Sequence, residues 1–108
     1  MAILQGSSYR LPIRITDSEG RVVSASMVED ASFVFGELRK GLEDVSFAGE
    51  NWIVPLTQEE TFKLADVVEW QARFRLVGGE VVGTVPKGEY IYNSIDKVVF
   101  GGGEDVGE

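Results

Sequence analysis

The sequence predicts an all-β domain, a two-sheet antiparallel sandwich with one short helix between strands. Three observations carry that prediction. Apolar and polar residues alternate with period two in several short segments, the mark of strands with one buried face. Turn-forming Gly, Asp, Asn and Ser separate those segments. One helix-start signal, Thr57-Gln58-Glu59-Glu60, stands shortly before the strongest strand.

Taken in order, Tyr9, Leu11, Ile13 and Ile15 alternate with Arg10, Pro12, Arg14 and Thr16. Pro12 has no N–H to donate, which places this strand at a sheet edge. Asp17-Ser18-Glu19-Gly20 then turns the chain into a return strand through Arg21 to Val23. Ala31, Phe33 and Phe35 alternate again, Gly36 and Gly41 bracket a polar excursion with Arg39 and Lys40, and Leu42 to Phe47 makes a weaker strand. After a turn at Gly49-Glu50-Asn51, the side chains of Trp52, Val54 and Leu56 share one face.

Thr57 and Glu60 have the spacing of a capping box, in which the hydroxyl accepts from the Glu60 N–H and the carboxylate reaches back. A helical turn or two to about Leu64 follows, with Phe62 expected to plug it onto the core. From Val67 to Val77, the apolar set Val68, Trp70, Ala72, Phe74 and Leu76 opposes Glu69, Gln71, Arg73 and Arg75. Gly78-Gly79 predicts a two-residue hairpin. That register pairs Leu76 with Val81, Arg75 with Val82 and Phe74 with Gly83, which would leave room for the Phe74 ring; Pro86 ends the strand. A last strand is expected from Tyr90 to Phe100, with Ile91 and Ile95 on one face, Tyr90, Tyr92, Val98 and Phe100 on the other, and a bulge where the alternation breaks. The domain limits are therefore residues 9–100, between a flexible N-terminus at 1–8 and a flexible acidic, Gly-rich tail at 101–108. Six or seven strands joined in this way point to a sandwich of immunoglobulin-like type, with a small open barrel as the alternative.

Composition narrows the function. At 108 residues the chain accommodates one core, and 44% hydrophobic with 26% charged residues is the balance of a domain that folds unaided. A net charge of −8 repels phosphate backbones and anionic bilayers, so neither nucleic acid nor membrane is an expected partner. No apolar run approaches the roughly 18 residues needed to span a bilayer. Nothing at Met1 to Ser8 has the form of a secretory signal, so cytoplasmic synthesis is expected.

Catalysis has little to work with. The chain contains no histidine and no cysteine, which removes the commonest general base, the thiolate nucleophile and the commonest transition-metal ligand. Ser94-Ile95-Asp96-Lys97 has the S-x-x-K spacing of serine acyl enzymes, but that spacing aligns the two groups on a helix, and here it falls in an expected strand. The pairs Glu29-Asp30, Glu43-Asp44, Glu59-Glu60 and Glu104-Asp105 read as solvated surface rather than a hydrolytic dyad, and Asp17 to Gly20 as a turn rather than a calcium loop. No enzymatic activity, cofactor or metal is expected. The candidate contact residues are Arg73 and Arg75, with Arg10 and Arg14 as further members of a basic stripe, set against the reading of a mixed-charge solvated surface with Glu69 on the same face and Glu80 across the hairpin, and Tyr90 and Tyr92, which serve either as core or as an aromatic platform for a protein or sugar.

Two stretches carry a resemblance: Trp52-Ile53-Val54-Pro55-Leu56-Thr57-Gln58-Glu59-Glu60-Thr61, and Val68-Glu69-Trp70-Gln71-Ala72-Arg73-Phe74-Arg75. The chain resembles small immunoglobulin-like tail or baseplate proteins of phages and prophages of Gram-positive bacteria, akin to the N-terminal domain of upper baseplate proteins. Leu11 to Gly20 and Tyr92 to Lys97 fit the same layout. The resemblance implies a structural assembly module of a virion tail, a homo-oligomer contacting other tail or baseplate subunits without a cofactor. The alternative is a carbohydrate-binding or adhesion module using Tyr90, Tyr92 and Trp52.

Overall fold

The computed structural model describes residues 2–100, and the expected tail at 101–108 lies outside the described residues. The strands are β1 (Ala2–Leu4), β2 (Tyr9–Ile13), β3 (Val28–Phe35), β4 (Leu38–Gly41), β5 (Ser46–Ala48), β6 (Asn51–Leu56), β7 (Val67–Leu76), β8 (Val81–Gly83) and β9 (Lys87–Tyr92), with one helix, α1 (Gln58–Phe62). They form the expected all-β architecture of two packed sheets. The larger sheet runs β1-β9-β7-β3-β4, with β8 pairing the C-terminal half of β7 and β9 its N-terminal half. The smaller sheet is β2-β6-β5. Pro12 therefore lies on an edge strand, as its missing donor requires.

Between the sheets the aromatic residues anchor the core. Trp52 of the small sheet sits 5.3 Å from Phe74 and 6.0 Å from Phe33 of the large sheet, centroid to centroid, and its indole N–H donates to the Val23 carbonyl at 2.9 Å. A buried indole thus keeps its donor satisfied. Leu11, Ile13, Val54 and Leu56 complete the small sheet's inner face, while Ala31, Phe35, Val68, Trp70 and Ala72 complete the large sheet's.

The capping box forms as predicted, with Thr57 Oγ1 accepting from the Glu60 N–H at 3.1 Å and Glu60 Oε1 accepting from the Thr57 N–H at 2.9 Å. α1 carries the chain from the small sheet to the large one, the crossing expected for it. Phe62, however, is only half-buried. Thr61 and Leu64 face inward instead, while Phe62, about 100° around the helix from Thr61, lays its ring against Gly6.

Several other expectations are corrected. The N-terminus is not free: β1 pairs in parallel with β9, and Ile3 is fully buried opposite Ile91. Arg21 to Val23 makes only a single bridge, Thr16 to Val22, rather than a return strand. Leu42–Asp44 is a 3-10 turn, so the strand expected from Leu42 to Phe47 shortens to β5. The β7–β8 register is shifted by one, with Arg75 opposite Val81, Phe74 opposite Val82 and Arg73 opposite Gly83. Leu76 N–H donates to Glu80 and Gly79 N–H to Leu76, so the loop has three residues rather than two, and Gly83 clears the Arg73 stem rather than the Phe74 ring. Finally, the last strand stops at Tyr92 and residues 93–100 are irregular. Ile95 is almost wholly exposed, so the broken alternation marks the end of the strand rather than a bulge.

Candidate interaction surface

The small sheet covers the inner face of the large one and leaves the outer face open. On β7, inward-facing Val68, Trp70, Ala72 and Phe74 fix Val67, Glu69, Gln71, Arg73 and Arg75 as the outward set. The registers extend this set sideways in rows: Tyr90 and Ala2 lie beside Val67, Gly88 beside Glu69, Val34 and Arg39 beside Gln71, Gly83 and Ser32 beside Arg73, and Val81 and Asp30 beside Arg75. Tyr92 and Leu4 form one further row. One sheet face therefore collects all four sequence-predicted contact residues, Arg73, Arg75, Tyr90 and Tyr92, with aromatic groups at one end and guanidinium groups at the other.

At the aromatic end Tyr90 and Tyr92 stand out from the surface, 56% and 54% exposed, with ring centroids 4.9 Å apart and planes at 72°. Their use as core is excluded by Ile91, which takes the inward position between them. Val67, 62% exposed, and Leu4, 42% exposed, extend the apolar area. Their outward placement on a sheet face is the opposite of what burial would reward. The parity of Val67 with Glu69 and Arg73 already marks it as outward in the sequence; Leu4 had no such signal, because β1 is too short to show alternation.

At the other end Arg75 pairs with Glu29 at 3.4 Å, while Arg73 and Glu69 make no ion pair among the described residues. Arg10 and Arg14 do not join them. They belong to the small sheet's side of the sandwich, where Arg14 approaches Glu50 at 3.6 Å, so no continuous basic stripe forms. Trp52 is likewise removed as a surface aromatic by its place in the core.

A second feature is a cleft of about 490 Å³ between the segment from Ile15 to Val23 and the β7–β8 hairpin, floored by Phe74 and rimmed by Asp17, Glu19, Arg21 and Glu80. Asp17 is committed to its own turn. It accepts from the backbone N–H groups of Arg21 and Glu19, each at 2.9 Å, and from Arg21 Nε at 2.9 Å. The Arg21 backbone bond is the main cause that holds this carboxyl below its usual range. Gly20, at φ +83°, closes the turn.

The S-x-x-K residues sit in the irregular segment rather than in a strand. Ser94 Oγ donates to the Asp96 carbonyl at 2.7 Å, and Lys97 Nζ donates to Gln5 Oε1 at 3.3 Å and Asn93 Oδ1 at 3.2 Å. These contacts tie the segment to the loop after β1. Among the described residues no group of three or more carboxylates gathers in a geometry that could hold a metal ion. No helix among the described residues is long and apolar enough to cross a membrane. Comparison with family models, curated proteins and solved structures finds no match to this chain.

Proposed function

We propose that this chain is a non-catalytic assembly module of a phage or prophage tail or baseplate, acting through protein–protein contacts on the outer face of its large sheet. The observation that supports this most is the gathering of Tyr90, Tyr92, Val67 and Leu4 with Arg73 and Arg75 on one uncovered face. Tyrosine and arginine are the residues that most often anchor protein interfaces, since each combines a large contact area with a polar end. The tail setting rests on the resemblance in Trp52 to Thr61 and Val68 to Arg75. In that setting the chain is made in the cytoplasm and incorporated into the virion tail, with other tail or baseplate subunits as partners.

Co-expression with the products of neighbouring genes, followed by co-purification, tests the reading. Capture of a tail subunit by the native chain, lost in Tyr90→Ala and Arg75→Ala, is the expected result. No capture of any of these products would overturn it. Glycan recognition by the same tyrosines is the competing use. Their 72° interplanar angle prevents one sugar ring from stacking flat on both, and glycan-array binding abolished by Tyr90→Ala would replace assembly with that role.

A further inference from the structure

The geometry points to a specific partner for this face: a second copy of the same chain, packed face to face about a two-fold axis that crosses β7 at Gln71. This rests on the reading of the outer face as a contact surface and says what it contacts.

The outward positions of β7 are self-complementary under reversal. Reading Val67, Glu69, Gln71, Arg73, Arg75 from both ends places Glu69 against Arg73 of the second copy, Gln71 against itself and Val67 against the Arg75 stem. A two-fold axis lying in the interface and running across the strands makes that juxtaposition, because it reverses strand direction while leaving each column of the sheet over its own counterpart. The column beside β7 is β9 in its N-terminal half and β8 in its C-terminal half. Each copy's β9 therefore covers the other's β8. Tyr90 falls over the exposed Val81 and Gly88 over Gly83, so the ring meets an aliphatic side chain and the two glycines permit close approach.

Charge permits like to meet like on this face. The chain as a whole carries −8, yet Arg39, Arg73 and Arg75 here balance Glu29, Asp30 and Glu69. Arg39 meets its own copy at the sheet margin, where both guanidinium groups reach water. The columns of β7 and of β9 with β8 match along the whole run from Val67 to Arg75, and β3 and β4 match only near its middle, which at about 4.8 Å per column and 3.3 Å per residue gives roughly 400 Å² per copy. Two copies then bury about 800 Å², the size of a weak, concentration-dependent contact, so the paired Glu69 and Arg73 carry its specificity. Aligned sheets pack in this way with their strands crossing at about 30°.

Sedimentation velocity across a concentration series tests the arrangement, with circular dichroism to confirm folding of each variant. The native chain is expected to dimerise. Glu69→Arg and Arg73→Glu each set like charges against one another twice per dimer and should raise the dissociation constant by about tenfold or more. The double variant E69R/R73E restores both contacts and should recover dimerisation. A native chain that stays monomeric, a dimer indifferent to both single changes, or a double variant no better than the singles would overturn the two-fold arrangement. Co-purification with tail subunits reads the broader assembly role separately: capture by a monomeric native chain would leave that role standing while removing this partner.

Discussion

Lys40 of β4 places its ammonium 2.9 and 2.8 Å from the two carboxylate oxygens of Glu60, the same carboxylate that closes the capping box of α1. One side chain thus links the far edge of the large sheet to the start of the helix that joins the two sheets. Both partners are largely shielded, at 12% and 23% side-chain exposure.

Partial burial alone would push the Glu60 carboxyl up, but the Lys40 bond and the Thr57 backbone N–H together hold it below its usual value of 4.5. A carboxyl that binds its proton more weakly when folded contributes its full stabilisation above the unfolded value and loses it as pH falls through the lower folded value. Glu60→Gln should therefore lower stability by about 1–2 kcal/mol at neutral pH, through the lost charge and weakened cap. Urea unfolding followed from neutral pH down through about 4.5 and below should show the native chain converging on the variant. A difference that persists unchanged at low pH would contradict this account.

Thr61 is fully buried, and its hydroxyl accepts from the Gly6 N–H at 2.9 Å and donates to the Ser7 carbonyl at 2.8 Å. Thr61→Val keeps the shape and strands both backbone groups, which should cost about 1–3 kcal/mol in thermal or urea unfolding. Hydrogen exchange should quicken first in the loop from Gln5 to Ser8, where the partners are lost.

Ile91 and Tyr92 are neighbours on β9 with opposite surroundings. Ile91→Ala removes side-chain volume from the core beside Ile3 and should destabilise by about 2–5 kcal/mol. Tyr92→Ala removes a ring that faces solvent and should change stability by under about 1 kcal/mol, while weakening association through the outer face. Unfolding curves measured side by side, together with the native mass, separate the two effects.

The middle of the fold was legible because several signals agreed there. Alternation from Trp52 to Leu56, the Thr57–Glu60 capping box and the two distinct faces of β7 each indicate the same arrangement, and the structure contains all three. The outward placement of Arg73 and Arg75 was legible for a related reason, since outward parity on β7 follows directly once the inward set is known. What local pattern could not supply was long-range pairing. Three residues in β1 carry no periodicity of their own, and their partner lies on β9, near the other end of the chain. Nor do two adjacent glycines decide between a two-residue and a three-residue loop; the Leu76–Glu80 bond decides it, and that one-residue slip moved Gly83 from Phe74 to Arg73. Beyond Tyr92, apolar residues continue without a strand to hold them, so Ile95 imitated a pattern that the backbone had already left.

The parallel pairing of β1 with β9 sets the order in which the molecule can be completed. Ala2–Leu4 is made long before Tyr90–Tyr92, its strand partner among the described residues. Until then Ile3 has no Ile91 to pack beside. Closing a loop of that length carries a large entropic cost that can be met only after the intervening sheets have brought the ends together. β1 therefore covers an edge of β9 that would otherwise be open to pairing with other strands.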